Sequence, residues 1–105
     1  MNPIQTTVIH GVLVEDEIEF TLVELCRACR VDSELLVALV DEGVLTPRGA
    51  DASSWRFGGG ALQRARAALR LDRDLELGAA GTALVLDLLD EIESLRAQLR
   101  RLGAG

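Results

Sequence analysis

The sequence predicts a mainly α-helical protein: a winged helix-turn-helix with small N-terminal and wing β-strands and a long C-terminal helix. Three observations support this prediction. Apolar residues recur at helical spacing in four segments after residue 20, β-forming residues concentrate before it, and Trp55-Arg56-Phe57 alternates like a short strand. A chain of 105 residues with 49% hydrophobic residues has room for one compact core. We expect a single domain over 1–105, divided into an N-terminal strand segment (1–20), the winged helix-turn-helix (21–78) and the C-terminal helix (79–103).

The N-terminal segment is rich in β-forming residues and lacks a helical period. Thr6-Thr7-Val8-Ile9 and Val12-Leu13-Val14 are separated by Gly11, and the acidic run Glu15-Asp16-Glu17 follows them. This pattern predicts one or two short strands, which could form a small hairpin. We expect the acidic run to be a solvated turn, with a docking surface for a basic partner as the alternative.

Two short helices follow. Thr21 and Glu24 have the spacing of a capping box, so the first helix begins at Thr21. Its apolar face consists of Leu22, Leu25, Cys26 and Cys29. Asp32 or Ser33 caps a second helix, which Gly43 ends as a left-handed C-cap. The apolar side of the second helix consists of Leu35, Leu36, Leu39 and Val40. Two helices joined by so few residues are typical of a helix-turn-helix.

A wing and a third helix come next. In Trp55-Arg56-Phe57 the aromatic residues alternate around an arginine, which predicts a strand with both aromatics toward the core. We expect Gly58-Gly59-Gly60 to be a flexible turn, because it lacks the Lys-Ser/Thr of a phosphate loop. Residues 61–75 then have a helical period, with core positions at Leu62, Ala65, Ala68 and Leu69. The polar positions of this helix are expected to stay solvated: Gln63, Arg64, Arg66, Arg70 and Arg73.

The last helix is predicted from Ala79 or Thr82 to Leu102. It carries an apolar seam with alternating spacings of three and four residues, as in a coiled coil. The seam consists of Val85, Leu88, Ile92, Leu95, Leu99 and Leu102. We expect the first half of this helix to pack on the domain and the second half to pair with the same helix of a second copy. The pattern leaves parallel and antiparallel pairing both open.

Composition excludes several classes of function. The 11 basic and 17 acidic residues give a net charge of −6, which argues against a protein that binds nucleic acid mainly by neutralising phosphates. No long apolar stretch and no signal-peptide pattern occur, so we expect a soluble cytoplasmic protein that does not enter a membrane. The pair Cys26 and Cys29 lacks further metal ligands, and His10 lacks a catalytic partner. We therefore expect no enzyme activity, no metal and no cofactor.

Four segments resemble the winged-helix domain of MerR-type regulators. They are Phe20-Thr21-Leu22-x-Glu24-Leu25, Val31-Asp32-Ser33-Glu34, Glu42-Gly43-Val44-Leu45-Thr46-Pro47 and Trp55-Arg56-Phe57. In DNA-binding members the second helix carries an arginine and tyrosines that meet phosphates and bases. Here that stretch is the aliphatic run 36–40 followed by Asp41-Glu42, which offers no donor to a base edge and repels phosphate.

With this departure the chain is similar to the CbpM family of chaperone modulators. Residues 75–81 and the following 83–92 resemble the passage between the third and fourth helices of that family. The resemblance implies a dimer through the long helix, binding to the J-domain of a CbpA/DnaJ-like co-chaperone, and inhibition of its action on a DnaK-type chaperone. From surface chemistry, the partner-binding candidates are Glu34, Val37, Ala38, Asp41 and Glu42. Among them, Val37 and Ala38 are the apolar positions expected to be exposed.

The alternative is a MerR-like DNA-binding transcriptional regulator. It would use a local set of arginines on the wing and third helix: Arg48, Arg56, Arg64, Arg66 and Arg70. The acidic balance and the aliphatic second helix argue against this alternative.

Overall fold

The computed structural model describes residues 7–9, 12–14 and 18–103, and the predicted mainly helical fold is confirmed. The elements in chain order are β1 (Thr7–Ile9), β2 (Val12–Val14), β3 (Glu19–Phe20), α1 (Leu22–Cys29), α2 (Ser33–Asp41), β4 (Phe57–Gly58), α3 (Gly60–Leu75) and α4 (Gly78–Arg101). The remaining positions, which include His10 and the acidic run Glu15-Asp16-Glu17, lie outside the described residues.

The strands form two antiparallel pairs. β1 and β2 make the expected hairpin, with Val8 opposite Leu13. β3 instead pairs with β4, placing Phe20 opposite Phe57. Glu19 and Phe20, which were expected in the N-terminal segment, are therefore part of the wing sheet.

Both ends of α1 are capped, and its N-terminus has the predicted capping box. The Glu24 amide donates to Thr21 Oγ1 at 3.1 Å, and the Thr21 amide donates to Glu24 Oε1 at 2.8 Å. At the other end Arg30 adopts a left-handed conformation with φ 59°, and the Val31 amide donates to the Cys26 carbonyl at 3.1 Å. The chain thus leaves α1 through a Schellman-type turn built on arginine, where glycine is the usual residue.

The end of α2 uses glycine as predicted. Gly43 has φ 79°, its amide donates to the Val40 carbonyl, and the Val44 amide donates to the Leu39 carbonyl at 2.9 Å. These two bonds define a Schellman motif. Asp32 is the N-cap of α2, but its side chain makes no capping hydrogen bond.

The wing is held by a short bridge and by two aromatics. Arg48 and Arg56 exchange backbone hydrogen bonds of 3.0 and 2.9 Å. Phe57 is buried, and Trp55 meets it edge to face at 5.9 Å between ring centroids. At the wing tip Gly49 has φ 118°, and a Cβ there would lie 2.6 Å from the Ser54 carbonyl oxygen. Both aromatics therefore face the core as predicted.

One core lies between the helices. It is built from the inward faces of α1, α2, α3 and the start of α4, with Phe57 closing it from the wing. Its buried apolar residues are Leu25, Leu36, Leu39, Val44, Leu45, Phe57, Ala65, Ala68, Ala83 and Leu86. The predicted core positions Leu62 and Leu69 are half-buried against this cluster. None of the described helices is long and apolar enough to cross a membrane.

One polar side chain lies inside this core. Thr82, in the second turn of α4, is fully buried, and its hydroxyl has no hydrogen-bond partner among the described residues. A buried hydroxyl without a partner costs about 1–3 kcal/mol relative to a satisfied one.

We predict that Thr82→Val raises the free energy of unfolding by about 1 kcal/mol, because valine keeps the shape of threonine and removes the unpaired hydroxyl. Chemical denaturation monitored by circular dichroism measures the change. Thr82→Ser is the matched control: it keeps the hydroxyl, leaves a small cavity and lowers stability. A destabilised valine variant would mean that the hydroxyl is satisfied in solution.

Candidate protein-binding site

The residues predicted to bind a partner lie along one face of α2 and on the residue that ends it, the C-cap Glu42. They are Glu34, Val37, Ala38, Asp41 and Glu42, named the acidic stripe below. Their spacing of three, four, seven and eight residues from the first member brings them onto one side of a helix. Leu36 and Leu39 on the opposite side are buried. The core contacts of α2 therefore direct the carboxylates of the acidic stripe away from the domain.

The centre of the acidic stripe is less exposed than predicted. Val37 and Ala38 are half-buried, because α2 packs against both α1 and α4. The carboxylates of Glu34, Asp41 and Glu42 are exposed, and none of them forms an ion pair with another described residue. The stripe thus offers a small apolar centre between carboxylates that are free to meet cations.

A groove beside the first turn of α2 was not predicted. It has a volume of about 970 Å³ and lies between α1, the connecting turn and α2. Its apolar lining consists of Leu22, Val23, Cys26, Val31 and Leu35, and its charged lining of Arg27, Arg30, Asp32 and Glu34. We call it the turn groove. The sequence signal for it is Val23, an apolar residue outside the apolar face of α1, which is 58% exposed.

Arg64 corrects one prediction directly. It was expected to be solvated, yet it is half-buried, and its Nε donates to the Val44 carbonyl at 2.7 Å. Its Nη2 lies 3.4 Å from Asp90 Oδ2 on α4. The physical reason is that the turn after α2 presents a carbonyl toward α3, twenty residues further along the chain. Arg64 therefore joins the end of α2 to α3 and α4.

Of the five arginines named for the DNA-binding alternative, some form contacts within the chain and the others remain exposed. Arg64 is engaged as described, and Arg48 is ion-paired with Glu19. The exposed members that remain are Arg56, Arg66 and Arg70. Two of the five arginines are thus committed to contacts within the chain, which weakens the electrostatic basis for binding phosphate.

Cys26 and Cys29 are free, half-buried thiols on α1. Burial raises the pKa of both thiols above the usual range, and the negative charge of Asp32 adds to the rise at Cys26. At Cys29 the positive charge of Arg66 partly offsets the rise in pKa. Within the described part of the chain, no group of three or more His, Cys, Asp or Glu residues is placed to hold a metal ion.

The apolar seam of α4 is a second candidate surface. Burial in α4 ends at Leu86, earlier than the predicted midpoint, and Val85 is half-buried. The other seam residues are 45 to 80% exposed: Leu88, Ile92, Leu95, Leu99 and Leu102. The helical angle places them opposite the Ala79, Ala83 and Leu86 face that contacts the domain. Leu84 and Leu89 widen this exposed apolar surface.

The sequence is similar to two groups of known proteins. The family model described as "MerR HTH family regulatory protein" matches residues 20–103. The chaperone modulatory protein CbpM of Coxiella burnetii is 36% identical over 95 residues, 90% of this chain and 90% of that protein. CbpM of Pseudomonas putida strain W619 is 35% identical over 74 residues, 70% of this chain and 73% of that protein. Neither description denotes an enzyme.

We predict that Arg64→Met lowers the free energy of unfolding by about 1–2 kcal/mol, because it leaves the Val44 carbonyl without its partner. Arg66→Met, on the exposed side of the same helix, is the matched control and should change stability by less than about 0.5 kcal/mol. Urea denaturation of both variants measures the difference. Equal effects would show that the Arg64 contact contributes nothing to stability.

Proposed function

Because the chain belongs to the CbpM family of chaperone modulatory proteins, we propose that it binds the J-domain of a CbpA/DnaJ-like co-chaperone and inhibits the action of that co-chaperone on a DnaK-type chaperone. Family membership over 90% of the chain is the observation that carries the proposal. In this role the protein is a non-enzymatic adaptor that works in the cytoplasm with its partner.

The acidic stripe supports a protein partner of basic character. The second helix of a J-domain is rich in lysine and arginine, and the stripe presents three exposed carboxylates that are unpaired among the described residues. Complementary charge raises the rate of association more than the final affinity. The apolar centre at Val37 and Ala38 then contributes the desolvated contact on which affinity depends.

The residues on the outward face of α2 argue against sequence-specific binding in a DNA groove. Its outward face carries carboxylates and aliphatic groups, whereas base edges are recognised by donors such as arginine, asparagine and glutamine. The chain keeps the helix-turn-helix geometry, but the residues that would contact DNA are replaced by carboxylates and aliphatic groups. This replacement is consistent with a protein ligand.

We also propose that two copies associate through the α4 seam. The exposed surface from Leu84 to Leu102 extends for about 27 Å along the helix. A leucine and isoleucine surface of this length is stabilised when a second copy removes it from water.

We predict that isothermal titration with the J-domain of the CbpA-like protein from the same organism gives micromolar or tighter binding that weakens as salt is added. Asp41→Lys is expected to weaken binding by about tenfold, because it replaces an attraction with a repulsion. Asp74→Lys, on α3, changes the net charge equally and should leave the affinity nearly unchanged.

The same samples test the regulatory effect. Adding the protein should lower J-stimulated ATP hydrolysis by the DnaK-type chaperone, and Asp41→Lys should restore it. Absence of both binding and inhibition would contradict the proposed function and would return attention to DNA, testable by a salt-sensitive gel shift on the upstream region of its own gene.

We predict that Leu95→Asp and Leu99→Asp each dissociate the dimer, because a carboxylate in an apolar contact costs several kcal/mol. Ser94→Asp is the matched control, since it adds the same charge to the same helix outside the seam. Both leucines are already about half exposed in the single chain, so the variants should fold. Light scattering measures the mass, and a dimer that persists in both leucine variants would contradict the seam.

A further inference from the structure

We propose that the turn groove is the slot in which an amphipathic α-helix of the J-domain docks, with its aliphatic side chains in the groove, its basic flank against Asp32 and Glu34, and its acidic flank against Arg27 and Arg30. This inference rests on the proposed function and deepens it, because it names the surface and the charge pattern of the segment that binds.

The apolar lining of the groove provides the contact area. Val23 is 58% exposed, although it stands in the first turn of α1 next to residues that pack on the core. Leu22, Val31 and Leu35 are half-buried around it, so the groove exposes part of each of these side chains. Aliphatic side chains gathered in one open, shallow groove offer a continuous contact area, whereas scattered exposed apolar residues are ordinary.

The two walls of the groove carry opposite charges that do not neutralise each other. Arg27 and Arg30 lie on the side of α1, and Asp32 and Glu34 on the side of α2. No ion pair joins any of these four side chains to another residue in the described part of the chain. Their charges are therefore available to a ligand, and a segment with one basic and one acidic flank satisfies both walls.

The form of the groove selects a helix among the common modes of peptide recognition. Addition of a strand needs a free sheet edge, and polyproline docking uses aromatic residues. The groove is bounded by two helices and their turn, and none of its described lining residues is aromatic. The carboxylates on one wall disfavour a phosphorylated peptide. An amphipathic helix in a hydrophobic groove is the mode that remains.

The groove is continuous with the acidic stripe. Glu34 belongs to both surfaces, since it lines the groove and is the first member of the stripe. A partner helix in the turn groove would thus contact Glu34 and leave Asp41 and Glu42 to the flanking basic surface of the same domain. This explains why both surfaces would serve one partner.

Two matched variants test the apolar contact. Val23→Gln should weaken binding of the J-domain by at least tenfold in isothermal titration. Leu75→Gln, at a residue that is 60% exposed on α3, should leave the affinity unchanged. Circular dichroism and thermal melting of the full chain show that both variants are folded. Unchanged affinity in Val23→Gln, with the wild type binding, would overturn the docking site.

The variant Arg27→Glu distinguishes a direct contact between Arg27 and the partner helix from attraction due to the net charge of the protein. This variant makes the protein more acidic, so non-specific attraction to a basic partner would become stronger. Contact between Arg27 and an acidic flank predicts the opposite, a loss of affinity of about tenfold. Affinity that increases or stays constant would overturn the proposed orientation of the helix.

Cys26 provides a probe already present in the chain. It lines the turn groove, whereas Cys29 on the same helix does not. Iodoacetamide labelling with and without the J-domain, followed by mass spectrometry, should show protection of Cys26 and constant labelling of Cys29. Equal labelling of Cys26 in the complex would overturn the groove while leaving J-domain binding intact. Absence of J-domain binding by the wild type would instead overturn the proposed function and this docking site with it.

Discussion

The orientation of α2 depends on the turn that ends it. Gly43 reverses the chain in a left-handed conformation, which brings Val44 and Leu45 back into the core. Arg64 then binds the Val44 carbonyl and meets Asp90, so the turn is tied to α3 and α4 at once. With Leu36 and Leu39 buried on one side, the other side of α2 has to face outward. The turn thus fixes which side of α2 carries the exposed carboxylates Glu34 and Asp41.

Local signals made much of the fold predictable. The capping box at Thr21, the glycine at position 43 and the alternation of Trp55 and Phe57 each specify a conformation through neighbours in the sequence, and the structure contains all three. The length of α4 was also predictable, since its apolar period continues for about three heptads. These features need no knowledge of how distant segments pack.

The features that were missed depend on contacts between distant segments. In the sequence, Arg64 occupies a polar position of α3 and is expected to face solvent. Its structural role appears only in the fold, where it donates to the carbonyl of Val44, twenty residues earlier in the chain. The sequence pattern assigns Glu19 and Phe20 to the N-terminal segment, whereas the structure pairs them with β4 of the wing. The turn groove likewise arises from the angle between α1 and α2, which a left-handed Arg30 helps to set. The one sequence feature that indicates the groove is Val23, an apolar residue outside the apolar face of α1.

The two proposed interfaces belong to different helices. The α4 seam faces away from the surface by which α4 contacts the domain, whereas the acidic stripe and turn groove belong to α1 and α2. A second copy that covers the seam would approach α4 from the side opposite its core contacts at Ala83 and Leu86. If the proposed dimer forms, each copy brings its own proposed partner site, and a co-chaperone that itself carries two J-domains would be held at both. Dimerisation would then strengthen inhibition through effective concentration, with no change in the contacts that either site makes.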